Sequence, residues 1–373
     1  MIKPALTLLL LVLTVHLAAS AYVRSDIVGN RPGLPQQNSS LIQASTFDAT
    51  LVNPWGLAFG PTTPAWIAAN GASTLALISG SGSVSSLKVA VGTDTPTGLV
   101  FNPYATDFTI PSASSTSTSG SSMMNLTGGT PSLFITATEQ GNIWAWGATL
   151  SSLTSAVRVA SSPSSVFKGL AIAANGTARF LYAADFANRE VVVFDSAFRR
   201  INMTGRFVDP DIPSDFSPFN VANILGDIFV AYAQQNASTP GEEQTGTSLG
   251  FISVFDPSGR LVRRFASRDV LDAPWGMVLA PLSFGEFGGS LLVGNFGDGR
   301  MWAFDLATGQ RRGQLRTTDN REIVAEGLWG MAFGNGAMNQ PTNTLFFNAG
   351  INDEADGLFG RIEPAPSNAT RSA

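Results

Sequence analysis

Between Pro274 and Asp305 the chain reads PWGMVLAPLSFGEFGGSLLVGNFGDGRMWAFD. Three short apolar runs, PWGMVL, LLVGN and RMWAFD, are separated by glycine, asparagine and aspartate. Short β-branched and aromatic runs between such residues are strand–turn chemistry, and the stripes of period 3.6 that a helix requires are missing. The unit recurs. PWGLAF at Pro54, PTGLVF at Pro96, FKGLAI at Phe167, PFNVAN at Pro218 and LWGMAF at Leu328 match its first strand. AWIAAN, LFITATE, FLYAAD, IFVAYA and LFFNAG match the second; TLALIS, NIWAWG, EVVVFD, FISVFD and LFGRIE match the third. Glycine follows the variable residue at 56, 98, 169, 276 and 330, and Asn220 replaces it in the fourth unit.

Successive glycines lie 42 residues apart from Gly56 to Gly98 and 54 apart from Gly276 to Gly330. Fourth strands are expected at SLKVAV, AVRVA, LVRRFA and QLR, with a less regular stretch near INMTGRF. Units of four strands at this spacing are blades, so the chain is expected to be all-β, a six-bladed β-propeller over 22–363. The sixth unit has no outer strand, and AYVRSDIV near the amino terminus has no blade. Tyr22–Val28 is therefore expected to complete the last blade and close the ring.

The first residues, MIKPALTLLLLVLTVHLAASA, combine a lysine, an apolar run and small residues, which reads as a signal peptide over 1–21 and predicts a secreted chain. No later segment approaches a membrane span. Cleavage would remove His16, the only histidine, and the chain has no cysteine, which excludes histidine-based triads, thiol nucleophiles, disulfides and the usual zinc sites. It would also remove Lys3, taking the formal charge from -5 to -6, and nothing in that balance suggests nucleic acid. Thr106–Thr130 is low in complexity and reads as a flexible surface insertion, and 364–373 as a disordered tail. Sequons stand at Asn38, Asn125, Asn175, Asn202, Asn236 and Asn368, candidate glycan sites of an exported protein.

In a propeller the start of each first strand and the end of each second strand emerge on one face. Trp55, Thr97, Lys168, Phe219, Trp275 and Trp329 precede the repeat position, while Asn70, Glu139, Asp185 and Asn295 end second strands. One reading is a ligand mouth floored by aromatic rings and one ammonium, suited to sugars or to aromatic and cationic ligands. The other is that the rings fill the gap between blades while Asn and Asp brace turns. Beside them lies the most acidic run, GINDEADGLFGRIE. Its Asn352, Glu354, Asp356, Gly357 and Glu363 fit the spacing of a helix-flanked calcium loop, yet the repeat puts Glu363 at a third-strand end. A strand-connecting loop, Ile351–Gly357, remains, with Asp353, Glu354 and Asp356 facing the same mouth.

The motifs LVNPWGLAFGP, LLVGNFGDG and AGINDEADGLFG resemble an uncharacterised family of exported six-bladed propellers related to NHL repeats. The resemblance implies the fold and carries no activity with it. Two functions stay open. One is a binding or interaction module for a small molecule, glycan or protein. The other is a calcium-dependent hydrolase of lactonase or phosphotriesterase type, with Glu139, Asp185 and Asn295 as oxygen ligands in the central channel. No cofactor is required by the first; calcium would serve the second.

Overall fold

The computed structural model describes residues 21–34, 44–111, 129–239 and 241–366. Residues 1–20 of the expected signal peptide, most of the Ser/Thr-rich stretch, the end of the tail and the sequons at Asn38, Asn125 and Asn368 lie outside them. Six antiparallel sheets follow one another around an axis, each starting innermost with a repeat strand. Those inner strands are Pro54–Phe59, Pro96–Phe101, Phe167–Asn175, Phe216–Ile224, Pro274–Leu279 and Leu328–Phe333.

What brings the inner strands together is the repeat glycine. A methyl group on Gly98 would lie 2.2 Å from the Leu170 amide nitrogen of the next blade, and one on Gly330 would lie 2.4 Å from the Trp55 carbonyl. Both distances are far inside van der Waals contact with backbone, which cannot give way. Asn220, the exception, instead sends its Nδ2 to the Trp275 carbonyl at 2.7 Å, so the fourth and fifth blades are joined by a side-chain hydrogen bond.

The residue before the repeat position is a bulge in every blade. Strand register shifts between Pro54 and Leu57, Phe167 and Gly169, Pro218 and Asn220, Pro274 and Gly276, and Leu328 and Met331, and opposite Pro96–Leu99 as well. A bulge leaves one residue out of the ladder and re-aims its side chain. Here it turns one side chain per blade into the ring's end.

Tyr22–Gly29 pairs antiparallel with Leu358–Pro364, from Tyr22 opposite Pro364 to Gly29 opposite Leu358, so both ends of the ring share the sixth sheet. Thr46–Phe47 then adds a parallel fifth strand at its outer edge. Tyr22 is buried; its hydroxyl donates to the Phe284 carbonyl at 3.0 Å and its ring stacks on Phe287, which fastens the fifth blade to the closure. Burial pushes this phenol up to about 12.

The two ends of the expected insertion, 106–111 and 129–130, are among the described residues. Phe108 and Ile110 are buried in the core between the second and third blades, and Thr109–Ile110 pairs with Thr130–Pro131. The two buried side chains anchor the first end of the stretch, and the strand pairing holds the second to it. The third-strand carboxylate of Asp256 is a turn brace: its Oδ1 accepts from the Ser258 and Arg260 amides, both at 3.0 Å.

Gly98→Ala is expected to lower stability by about 1–3 kcal/mol, since its methyl must overpack against neighbouring backbone. Thr342→Ala in an exposed turn should stay within about 0.5 kcal/mol. Urea denaturation of the two variants checks this, and equal midpoints would contradict the close-approach account.

Candidate functional site

The bulges deliver Trp55, Thr97, Lys168, Phe219, Trp275 and Trp329 to the axis, where the aromatic ones pack on each other. Trp55 stacks on Trp329 with ring centroids 3.6 Å apart, and Trp329 stacks in turn on Phe296 at 4.2 Å. Trp275 meets both tryptophans edge-on, and Phe219 packs between Phe186 and Trp329. Trp55, Phe219, Trp275 and Trp329 are all buried. The expected open aromatic mouth is therefore a plug: each ring removes its neighbour's faces from water. Hydrogen bonds lock it, from Trp275 Nε1 to the Lys168 carbonyl at 3.0 Å and from Trp329 Nε1 to Asn53 Oδ1 at 3.1 Å. On the far side a channel of about 360 Å³ opens among Leu57, Leu99, Leu170, Met277 and Met331.

Above the plug lies the one axial cation among the described residues. Lys168 is 1% exposed, with its Nζ 5.1 Å from the centre of the Trp55 ring. It stands 3.1 Å from Glu139 Oε1, 3.3 Å from Glu243 Oε2 and 3.5 Å from Glu242 Oε2. Burial alone would favour the neutral amine, but the three carboxylates outweigh it and hold the group as ammonium well above its ordinary value. The group is thus held in its charged form. Burial would likewise raise Glu139, yet Lys168 and the hydrogen bonds from Asn70 and Thr95 bring it below the ordinary glutamate range. Asn70 Nδ2 reaches Glu139 Oε2 at 3.1 Å and positions it.

Glu354, on the sixth-blade loop, feels the charges of Lys168, Glu139, Glu242 and Glu243. Asn352, Asp353 and Glu354 all carry left-handed backbone, with φ of 57°, 48° and 64°. Such a turn costs about 1–2 kcal/mol per non-glycine residue. Asp356 holds it: its carboxylate receives Asn352 Nδ2 at 3.0 Å, Asn30 Nδ2 at 2.9 Å and Arg31 Nη2 at 2.6 Å. Asp356, expected as a ligand group, is therefore a brace, and Asp353 points to solvent as an exposed residue. Burial and the neighbouring Glu243 push Glu354 up to about 7; Lys168 opposes them, and Glu139 and Glu242 add to the rise.

The three expected metal ligands do not assemble. Glu139 serves Lys168. Asp185 accepts from the Val166 and Asn188 amides and braces a turn in its own blade. Asn295 gives its Nδ2 to the Val270 carbonyl and to Asp298, leaving its buried Oδ1 without a protein partner. Among the described residues no group of three or more aspartates or glutamates is placed to hold a metal ion. The calcium-loop spacing also dissolves, because Glu363 sits within the strand Leu358–Pro364.

Glu242 and Glu243 were not anticipated. They ride on the long connection between Asp227–Gln235 and Gly250–Phe255, where the two-residue strand Glu243–Gln244 pairs back onto Gln234–Gln235. The signal was available in GEEQ, two adjacent acids in the longest second-to-third connection of a charge-poor chain.

No protein-family model matches the chain. One uncharacterised protein of Acanthamoeba polyphaga mimivirus is 33% identical over 333 residues, covering 86% of this chain and 77% of that one. This chain belongs to its family. A second uncharacterised mimivirus protein of the family is 30% identical over 333 residues, 86% of this chain and 82% of that one. A solved protein of unknown function from Bacteroides thetaiotaomicron shares the fold, with a TM-score of 0.54 at 12% identity, over 92% of this chain and 76% of that one.

Lys168→Met is expected to cost about 3–5 kcal/mol, because it strands buried carboxylates without their counter-ion. Urea denaturation checks the loss, and a variant as stable as the parent would contradict the pairing. For Glu354 the folded-state pKa is raised, so the folded chain binds the proton more tightly. Its contribution to stability is full below the ordinary value of 4.5 and falls as pH rises towards about 7. Glu354→Gln should therefore gain on the parent across that window and hold a constant difference above it; parallel pH–stability curves would contradict the assignment.

Proposed function

We propose that this propeller is an exported, NHL-like binding module whose axial face takes a ligand through an ammonium or guanidinium group. The observation that carries the reading is an imbalance of charge. Glu139, Glu242, Glu243 and Glu354 gather around the single Lys168 ammonium. Acidic groups outnumber the one ammonium at a partly desolvated mouth, and burial, with mutual repulsion second to it, raises both Glu243 and Glu354, so an incoming cation would favour their ionised forms. Glu242 is more than half exposed, and its side chain gives the cluster a rim that solvent reaches. A small amine or a basic side chain of a protein partner carries the required group. The plug explains why the ligand would rest on the face and not pass through the ring.

The calcium-dependent hydrolase gains no support from the side chains named for it. Glu139 is committed to Lys168, and Asp185 and the Asn295 amide to turns.

Calorimetry and thermal shift with spermidine, arginine methyl ester and choline, set against glucose and citrate, test the reading. Cationic probes should raise the melting temperature and bind with an affinity that falls as salt rises. Glu242→Gln with Glu354→Gln should weaken that binding about tenfold or more, as expected for removing charge partners. A response confined to glucose or citrate, or a melting temperature unmoved by every amine, would contradict it.

A further inference from the structure

Two of the sequons lie on the walls of one recess. Asn175 and Asn202 both border a cavity of about 360 Å³ between the third and fourth blades, with Phe180, Val193, Ile201, Met203 and Pro257 supplying its apolar lining and Thr204, Arg206 and Ser258 polar groups. Asn175 closes the hairpin between Phe167–Asn175 and Ala178–Asp185, pairing with Ala178 across Gly176 and Thr177. That hairpin tip is at the opposite end of the blade from the axial carboxylates. Asn202 follows the short outer strand Arg200–Ile201. Its Oδ1 accepts from the Thr204 amide at 2.9 Å and from the Thr204 hydroxyl at 2.5 Å. Those bonds engage the oxygen and leave the amide nitrogen, the atom that glycosyl transfer uses, out of them. Both asparagines and both sequon threonines are exposed.

The recess exists because the outer strand stops early. The third strand Glu190–Asp195 pairs with it only at Val193 and Phe194, and the chain then leaves towards the fourth blade, where the Phe207 amide bonds to the Gly259 carbonyl. Phe180, Ile201 and Met203 stay half-buried against the core below. A recess with both apolar and polar walls suits a sugar, which offers C–H faces to the first and hydroxyls to the second. Here the two candidate attachment points stand on its own walls.

We propose that Asn175 and Asn202 are N-glycan acceptors and that the sugars attached to them cover the recess they share. The donor is an oligosaccharide carried on a lipid diphosphate. Each asparagine Nδ2 forms a bond to the anomeric carbon while the bond from that carbon to the diphosphate oxygen breaks. The lipid diphosphate leaves with the electron pair, and one amide proton passes to a base of the transferase. The attached sugars present C–H faces to Phe180 and Met203 and hydroxyls to water. Asn236, the third described sequon, belongs to the axial connection, where its amide bonds to the Glu242 carbonyl, and it takes no part in the recess. The proposal is independent of the axial ligand and rests on the export expected from the amino-terminal segment.

The test is to secrete the full chain under its own leader from insect cells and map glycopeptides by mass spectrometry. Asn175 and Asn202 should both be occupied in most molecules. The double variant Asn175→Gln with Asn202→Gln, secreted alongside, should lose the mass of two glycans and bind several-fold more of an apolar fluorescent dye. Thr177→Ala with Thr204→Ala should behave the same way and guards against an effect of glutamine itself. Unmodified Asn175 and Asn202 in secreted protein would overturn the proposal, and so would retention of the chain in the cytosol. Full occupancy with no rise in dye binding in either double variant would overturn the covering of the recess.

Discussion

The close approach of six inner strands around the axis is the constraint from which the other features follow. Where the repeat glycine sits, the next blade's backbone occupies the space a side chain would need. A ring that tight cannot accommodate the residue before the glycine within the ladder as well, and in each blade that residue bulges out towards the axis. Asn220 shows that the contact and not the glycine is what the ring requires, since its side chain bridges to the Trp275 carbonyl. With no cysteine to staple the chain, closure rests on this packing and on the shared sixth sheet.

The bulges then decide what the axial face contains. Three of the six axial side chains are tryptophans and one is phenylalanine, so they bury one another and seal the ring. Thr97 and Lys168 are the exceptions, and Lys168 is the charged one. Its ammonium is carried into a setting that is apolar below and open only above, which is tenable because carboxylates from the second and fourth blades meet it there. Leaving one of these charges alone at that depth would cost several kcal/mol, about the scale of breaking a buried ion pair. The surplus of carboxylate that results gives the face its character. The left-handed turn that brings Glu354 alongside adds to the surplus against electrostatic repulsion, and Asp356, Arg31 and Asn30 supply the restraint that makes it hold.

The fold was legible because each of its devices leaves a local trace: alternating strands, turn residues, a repeating glycine, and an unpaired strand at one end with a missing strand at the other. The site was legible in part. Lys168 stood out because a lysine occupied an aromatic position, and Asn70, Glu139 and Glu354 lay near second-strand ends where the topology put them beside it. The role of the rings was not legible. Whether a tryptophan floors a mouth or fills it depends on the width of the ring, which spacing along the chain does not specify. Nor could sequence separate a carboxylate that faces the axis, as Glu139 does, from one that turns back to brace its own blade, as Asp185 and Asp356 do. Glu242 and Glu243 escaped because their position depends on a two-residue strand pairing back across a long connection.

The central claim is that Lys168 is a permanently charged ammonium held by glutamates above an aromatic plug. The chain has three lysines, Lys3, Lys88 and Lys168, and cleavage of the signal segment would leave two. A pH titration of the lysine ammonium groups by nitrogen-15 NMR, with Lys88→Arg for assignment, therefore reads Lys168 almost in isolation. The account predicts a slowly exchanging ammonium signal from Lys168 that persists above the ordinary lysine value of 10.5. A Lys168 that loses its proton below that value would contradict it.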